Sequence, residues 1–368
     1  MREADVSDAA TGSVTFSCGL VSVGWLPTGV SPGKIHSFSP TDCDSGHCLR
    51  CGEHSIVGLP VRLDSHDWSL KVKDQIEVKH VIVTAVQHVK RMRGGAQSHL
   101  MRCSNGKFYV VKFRNNPQGL KILANEFIFS NIAKTVGLSV PSPAIVNVDA
   151  WLVQHTPELN IWLPLAVPVP CESGLQYGSE YAIDPVIGRV WDWLSAETLV
   201  NVRNQAEFAG ILVLDKWMCN LDPRQVVFWR RNVERKYSAS FIDHGYCFGA
   251  DDWQFRDVVL RGAFPRNEVY RDVTGWGSFD PWLSELEGLD ENLIWNAVSC
   301  TPLLWYRSNW SALEQLTETL IRRRGKVREL LEQFRDSERH PFPRWGQTQT
   351  MWWNRPDEEP QVKNAAVG

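Results

Sequence analysis

The alternation of apolar and polar positions changes character near residue 77. Upstream, the chain is rich in Gly, Ser, Pro and Asp, and its apolar pieces, Val21–Leu26 and Ile56–Val61, are short and carry no sustained helical period. Residues 1–77 therefore read as an N-terminal extension. A disordered leader, a small accessory region and a start assigned too far upstream all fit that composition. From Val78 the β-branched run Val81, Ile82, Val83, Thr84 suits a strand. Arg93-Gly94-Gly95-Ala96-Gln97-Ser98 interrupts it, and Leu100-Met101-Arg102-Cys103 resumes an extended pattern. Ser104-Asn105-Gly106-Lys107 carries an Asn-Gly turn signal before Phe108–Phe113, a further strand. The spacing then predicts a helix over 120–136, with Leu123, Phe127, Ile128 and Ile132 on one face and Gly137 at its C-terminal stop. Pro141 and Pro143 release an extended segment over 144–153.

Residues 154–190 are rich in Pro and Gly with little periodicity and read as a long excursion or connection. Beyond them the pattern is mainly helical, with signals over 207–218, 281–286, 291–298 and 313–334. A two-strand unit, Val226–Trp229 and Ala239–Ile242, breaks the helical run. The basic triplet Arg322-Arg323-Arg324 reads as a solvated face beside a leucine stripe. A β-rich first half followed by a helical second half predicts an α+β fold. The folded part is expected over 78–345, with a β-rich portion over about 78–160, a helical portion over about 161–345, and a tail over 346–368.

Composition narrows the function without naming it. The chain has 368 residues, 43% hydrophobic and 22% charged, as a globular protein does. A net charge of −3 provides no broad positive field for nucleic acid. No run approaches the length a spanning helix needs, so no membrane segment is expected. Arg2, Glu3, Asp5 and Asp8 stand where a secretory leader would be apolar, and a cytoplasmic location is the expectation. Nine cysteines, an odd number, do not make a secreted disulfide framework. Buried free thiols are expected at Cys103, Cys171, Cys219, Cys247 and Cys300. Cys43, Cys48 and Cys51, with His47 and His54, could start a zinc site, but no second ligand pair follows at the usual spacing, so unligated cysteines are expected there.

The chemistry lies in the folded part. Phosphoryl transfer from ATP is catalysed mainly by positioning and electrostatics. It needs a glycine loop over the phosphates, a strand lysine, a helix glutamate to hold that lysine, and two carboxylates for the acceptor hydroxyl and the metal. Gly94 and Gly95, with Ala96, Gln97 and Ser98, sit between two strands where the backbone can approach a polyanion. Lys112 ends an apolar strand, and Glu126 stands beside the apolar stripe of the next helix, placed to meet its ammonium. Further on, the apolar helix 208–219 runs into Asn220-Leu221-Asp222-Pro223-Arg224-Gln225. Two short strands later comes Phe241-Ile242-Asp243-His244-Gly245. Asp222 is the candidate for the acceptor hydroxyl, and Asp243 for magnesium.

Gly94–Ser98, the strand to Lys112, and Asn125-Glu126 through Ala133–Pro141 resemble the N-terminal lobe of HipA-like kinases. Leu214-Asp215-Lys216-Trp217, Asn220–Gln225 and Ile242–Gly245 resemble the compact bacterial HipA-like subgroup. The resemblance covers about 78–345 and implies a two-lobed, protein-kinase-like fold that uses ATP and Mg2+. It implies an unidentified protein acceptor and an antitoxin-like partner. The sequence departs from the family in one place. An asparagine commonly lies about five residues after the catalytic aspartate to hold a second magnesium, and here that position is Val227. Gln225 is the substitute this reading favours as a metal ligand, with Asn220 as the other candidate. A protein Ser/Thr kinase is thus the leading expectation. An ATP-binding module without turnover and a small-molecule or lipid kinase are the alternatives. Ser98, next to the expected γ-phosphate, is the residue expected to be modified if the enzyme acts on itself, and a simple hydrogen bond from its hydroxyl is the rival reading.

Overall fold

The computed structural model describes residues 82–163 and 167–347. Residues 1–77 with the Cys43, Cys48, Cys51, His47 and His54 cluster, and all but the first two residues of the 346–368 tail, lie outside the described residues.

Strands β1 (Ile82–Arg91), β2 (His99–Cys103) and β3 (Phe108–Lys112) form an antiparallel meander, with Asn105-Gly106 in the second turn. Helix α1 (Lys121–Thr135) follows and is buried along almost its whole length. Strand β4 (Pro143–Val148) covers only the first half of the expected extended segment. Asp149 stops it by accepting from Trp151 N at 2.7 Å, which caps the short helix α2 (Ala150–Gln154). A two-stranded ribbon comes next, β5 (Asn160–Ile161) with β6 (Val169–Pro170). Strand β7 (Gly174–Glu180) then pairs with both β3 and β4, while β4 runs parallel to β1, so five strands close in the order β1-β2-β3-β7-β4. Alternate positions, among them Val83, Ala85, Met101, Val111, Val146 and Val148, fill the interior of this barrel.

The β-rich portion therefore runs past residue 160, and the supposed excursion contains a barrel strand. Its sequence, Gly-Leu-Gln-Tyr-Gly-Ser-Glu, lacks the β-branched residues that announce a strand, because this strand packs by closeness and not by bulk. A Cβ at position 178 would collide with Val146 Cγ2, so Gly178 is what lets β7 lie against β4.

The second portion opens with β8 (Gly188–Trp191), α3 (Ala196–Leu199) and α4 (Glu207–Trp217). β9 (Gln225–Arg231) and β10 (Ser238–Ile242) join β8 in a sheet of order β10-β9-β8. Helices α5 (Trp282–Glu287) and α8 (Val327–Arg335) pack on α4, which is buried from Phe208 to Trp217, while Trp217 donates to the Leu320 carbonyl of α7 (Trp310–Arg323) and α6 (Glu291–Ser299) packs against α7 and α1. A helix apolar on every side belongs in a core, and α4 is the centre of this one. The single helix expected over 313–334 is two, broken by a turn at Arg324–Lys326 that contains Gly325. Arg323 is not solvated as the triplet suggested. It is buried and donates to the carbonyls of Trp217 and Lys216 and to Asp257. The five cysteines from Cys103 to Cys300 are unpaired thiols, all but Cys300 fully buried. Among the described residues no helix is long and apolar enough to cross a membrane.

Candidate active site

Lys112 is the last residue of β3, opposite Tyr177 of β7, so its side chain points to where α1 passes. α1 offers Glu126, 2% exposed and the one buried carboxylate among the described residues of that helix. The Lys112 ammonium donates to Glu126 Oε1 and, at 2.7 Å, to Asp243 Oδ1. Burial opposes the charge on Lys112, but the carboxylates of Glu126 and Asp243 outweigh it and hold the ammonium firmly protonated. Burial pushes Glu126 up, while the same ammonium keeps Asp243 below the ordinary carboxylate range in spite of its own burial.

Asp243 follows β10 directly and takes a left-handed conformation, φ 62°, which a short polar side chain tolerates. Its second oxygen accepts from Gln225 Nε2 at 2.7 Å. The register explains that contact: Gln225, first residue of β9, lies opposite Ile242 on β10. Gln225 and Val227 share the β9 face that looks into the cleft, and Val226 and Phe228 face the core. The chain has entered the strand three residues after Asp222, so position 227 sits inside a sheet ladder and not on a loop. Gln225 Oε1 remains the carboxamide oxygen available beside Asp243. Asn220, the other candidate, is spent. Its Oδ1 accepts from Asp222 N at 3.0 Å, its Nδ2 donates to Asp215 at 2.9 Å, and it is buried away from the cleft.

Asp222 is half-buried, and burial followed by the charge of Asp243 raises its pKa, against the opposing pull of Arg261, Arg224 and Lys112. Beneath it lies a network that sequence reasoning did not assign. Arg224, 1% exposed, grips Asp215 through Nε at 2.8 Å and through Nη2. Its Nη1 donates to the Ile242 carbonyl at 2.7 Å and to His244 Nδ1 at 2.9 Å. Burial and then Arg224 hold His244 well below its ordinary pKa, so the ring is neutral and stacks on Phe129 at 4.0 Å. One guanidinium thus ties α4 to the Ile242 carbonyl and the His244 ring, which flank Asp243. On the other side of Asp243, Asn125 Nδ2 donates to the carbonyls of Gly245 at 2.7 Å and Cys247 at 3.1 Å, and its Oδ1 accepts from Trp253 at 2.7 Å. The signal for both was present: Asp215, Lys216 and Asn125 are polar residues inside helices whose other positions are buried, and such residues need partners.

The glycine loop closes the cleft from above. Gly94 takes φ +124°, a region that side chains disfavour, and Met92 N donates to Ser98 O at 2.8 Å across the loop. Gly94, Gly95, Ala96 and Ser98 line the cleft. Gln97 does not. With φ 50°, its side chain turns outward and clamps the backbone of Trp162, accepting from Trp162 N at 2.8 Å and donating to Trp162 O at 2.7 Å. The cleft has a volume of about 900 Å³ and also gathers Lys112, Glu126, Asp222, Gln225 and Asp243. Val110, Val227 and Ile242 supply apolar lining, and Glu180, Tyr181 and Ala182 line the cleft as well.

The donor set fits a hard divalent cation. Asp243, Asp222 and Gln225 Oε1 are oxygen donors in one cleft, and the Lys112 ammonium pairs with Glu126 and Asp243 and not with Asp222. Burial raises Asp222 most and the Asp243 charge adds to it, and a bound cation would relieve that second contribution.

Residues 83–257 match the family model described as HipA-like kinase. No curated protein matches the chain in sequence. The solved structures similar to it at low identity include the following three. The Golgi casein kinase with Mn/ADP bound is 13% identical over 75% of this chain and 78% of that one, with a TM-score of 0.42. The Helicobacter pylori proinflammatory kinase CtkA is 14% identical over 70% of this chain and 99% of that one, at 0.44. The Shewanella oneidensis MR-1 complex of HipA, HipB and operator DNA is 10% identical over 75% of this chain and 74% of that one, at 0.40.

Proposed function

From the HipA-like kinase domain of residues 83–257 as premise, we propose that this chain transfers the γ-phosphoryl group of Mg-ATP to a Ser or Thr hydroxyl of a protein. One observation carries the reading: a buried ammonium, Lys112, shared between Glu126 and Asp243 in the same cleft as Asp222 and under a glycine loop. In the proposed arrangement the base lies against Val110, Val227 and Ile242. The phosphates run beneath Gly94, Gly95 and Ala96 to Lys112, and Ser98 hydrogen-bonds near the γ-phosphate. Asp243 and Gln225 would hold magnesium, which supplies positive charge to the phosphate oxygens when bound. Asp222 orients the acceptor hydroxyl and takes its proton as the oxygen attacks the γ-phosphorus. The bond from that phosphorus to the β–γ bridging oxygen breaks, leaving ADP and a phosphate ester. The raised pKa of Asp222 makes it a better proton acceptor than an ordinary surface aspartate.

An antitoxin-like protein partner, implied by the family resemblance, belongs to the same proposal. Val227 at the position of the second metal-binding asparagine favours a second reading, an ATP-binding module without turnover. Incubating the purified protein with γ-labelled Mg-ATP, alone and with cell extract, separates the two. Label on a Ser or Thr that disappears with Asp222→Asn supports transfer. Tight nucleotide binding with no label anywhere and no ADP release would leave the module reading in its place.

A further inference from the structure

The segment Asp257–Arg261, beyond the metal-side aspartate, holds three neighbouring aliphatic side chains in water. Val258, Val259 and Leu260 are 50%, 38% and 40% exposed. The backbone carrying them is not loose. Lys216, buried at 5% exposure, donates its ammonium to the carbonyls of Val259 at 2.6 Å and Arg261 at 2.7 Å. Asp257 is tied down by Arg323 at 2.6 Å and Lys326 at 2.9 Å. At the other end Gly262 N donates to Asp222 O at 3.0 Å, and Arg224 N donates to Ala263 O at 3.1 Å. Burying a lysine is costly, and this one is spent on the shape of a loop whose side chains face solvent. The aliphatic ridge and the loop bearing Asp222 are consequently one rigid piece, and core packing gains nothing from exposing it.

The ridge borders an open groove of about 710 Å³ together with Pro223, Ala263 and Pro265. Pro223 directly follows Asp222, so the groove begins where the acceptor hydroxyl would sit. Asp257, paired with Arg323 and Lys326, and two arginines are the charged residues that line it. Arg339 is committed to Asn267 and to the Phe264 carbonyl. The Arg261 side chain is exposed, has no hydrogen bond or ion pair among the described residues, and lies near enough for its charge to act on Asp222. A lipid surface or a nucleic acid would call for several uncommitted cations, and among the described residues of this groove Arg261 alone is uncommitted.

We propose that this groove docks the acceptor polypeptide: an aliphatic side chain near the phosphorylated residue packs on Val258–Leu260 and Pro223, and a neighbouring carboxylate meets Arg261. The proposal rests on the kinase reading above and names its substrate class. A degenerate Ser/Thr peptide library, incubated with the full chain and labelled Mg-ATP, tests it, with ATP hydrolysis measured in parallel. Wild type should select an aliphatic residue and an acidic residue at fixed offsets from the acceptor. Leu260→Ser should lower the ratio of peptide phosphorylation to ATP hydrolysis about tenfold, chiefly through peptide KM, as expected for losing one apolar contact in a specificity pocket. Arg261→Glu should turn the acidic preference into a basic one. ATP hydrolysis with no peptide modified, with no flanking preference, or with both variants choosing peptides as wild type does, overturns the docking proposal and leaves the kinase reading standing. Absence of both hydrolysis and transfer removes the kinase reading, and this proposal falls with it.

Discussion

Replacing Arg224 with methionine tests whether the cluster under Asp222 is held by one guanidinium. Arg224 and Asp215 both have no solvent-accessible side chain, and the arginine also serves the Ile242 carbonyl and His244 Nδ1. Its removal leaves Asp215 buried with Asn220 as its remaining side-chain donor, and it leaves His244 Nδ1 without the donor it had. Breaking a buried ion pair from one side costs about 3–5 kcal/mol, and each orphaned buried acceptor adds on the order of 1 kcal/mol. With the Ile242 carbonyl and His244 Nδ1 both orphaned, Arg224→Met should lose about 5–7 kcal/mol, read as a drop in the urea midpoint followed by the fluorescence of buried Trp217 and Trp305. Burial already raises the pKa of Asp215, and losing Arg224 raises it further. The folded variant then binds a proton that the unfolded chain does not, so its deficit should shrink as pH falls from 8 toward 5. Adding Asp215→Leu removes the stranded charge and should recover at least about 2 kcal/mol. A single variant within about 1 kcal/mol of wild type, or a double variant as unstable as the sum of the singles, would refute the reasoning.

The remaining expectations concern the cleft and the barrel. Lys112→Ala should weaken nucleotide binding by about 2–4 kcal/mol, and a variant stabilised by Mg-ATP as much as wild type in a thermal shift would remove Lys112 from the site. Asp243→Ala should abolish the magnesium dependence of nucleotide binding, while Asp222→Asn should keep nucleotide affinity and lose transfer; equal loss of affinity in both would contradict that division. In the barrel, His99 is fully buried, and burial, then His88, then Arg91, lower its pKa from 6.5 to about 4. The folded state then binds fewer protons than the unfolded one between those values, so stability should be level above about pH 6.5 and fall by up to about 3 kcal/mol as pH drops to about 4. His99→Gln should flatten that acid limb, and parallel Tm–pH curves for the two proteins would show that His99 does not cause it.

The strands and helices with strong periodicity could be read from the chain alone, since Phe108–Lys112 and Lys121–Thr135 announce themselves by β-branched runs and apolar spacing. Strand β7 could not. Its place in the barrel depends on a glycine fitting under Val146, and no local pattern reports a neighbour more than thirty residues away. The same limit divides the site. Lys112, Glu126, Asp222 and Asp243 stood out through their order along the chain. Gln97 was assigned to the cleft by its neighbours, yet a left-handed backbone and the Trp162 peptide turn its side chain outward.

What the sequence conceals most fully is why the candidate groups stay in place, and the answer links the departure at Val227 to the network below it. β9 begins at Gln225, so the loop after Asp222 is too short to present a side chain from position 227 to a metal as a loop residue would. The shortened loop is held through Arg224, whose backbone N–H reaches Ala263 and whose guanidinium reaches Asp215, Ile242 and His244. Asp222 and Asp243 are therefore positioned from beneath by one buried cation, leaving their carboxylates free of that duty. Gln225, one residue further, is brought to Asp243 by strand register alone. A single ladder, Gln225 against Ile242, thus puts a neutral carboxamide beside Asp243, the aspartate proposed to hold magnesium. Asparagine at position 227 should consequently gain little metal affinity, because its side chain starts two strand residues further along the cleft face than Gln225, whose carboxamide already meets Asp243. Gln225→Ala should lose more. Magnesium titrations of nucleotide binding in Val227→Asn and Gln225→Ala would settle the comparison, and a gain larger in the first than the loss in the second would mean that the register does not select the ligand.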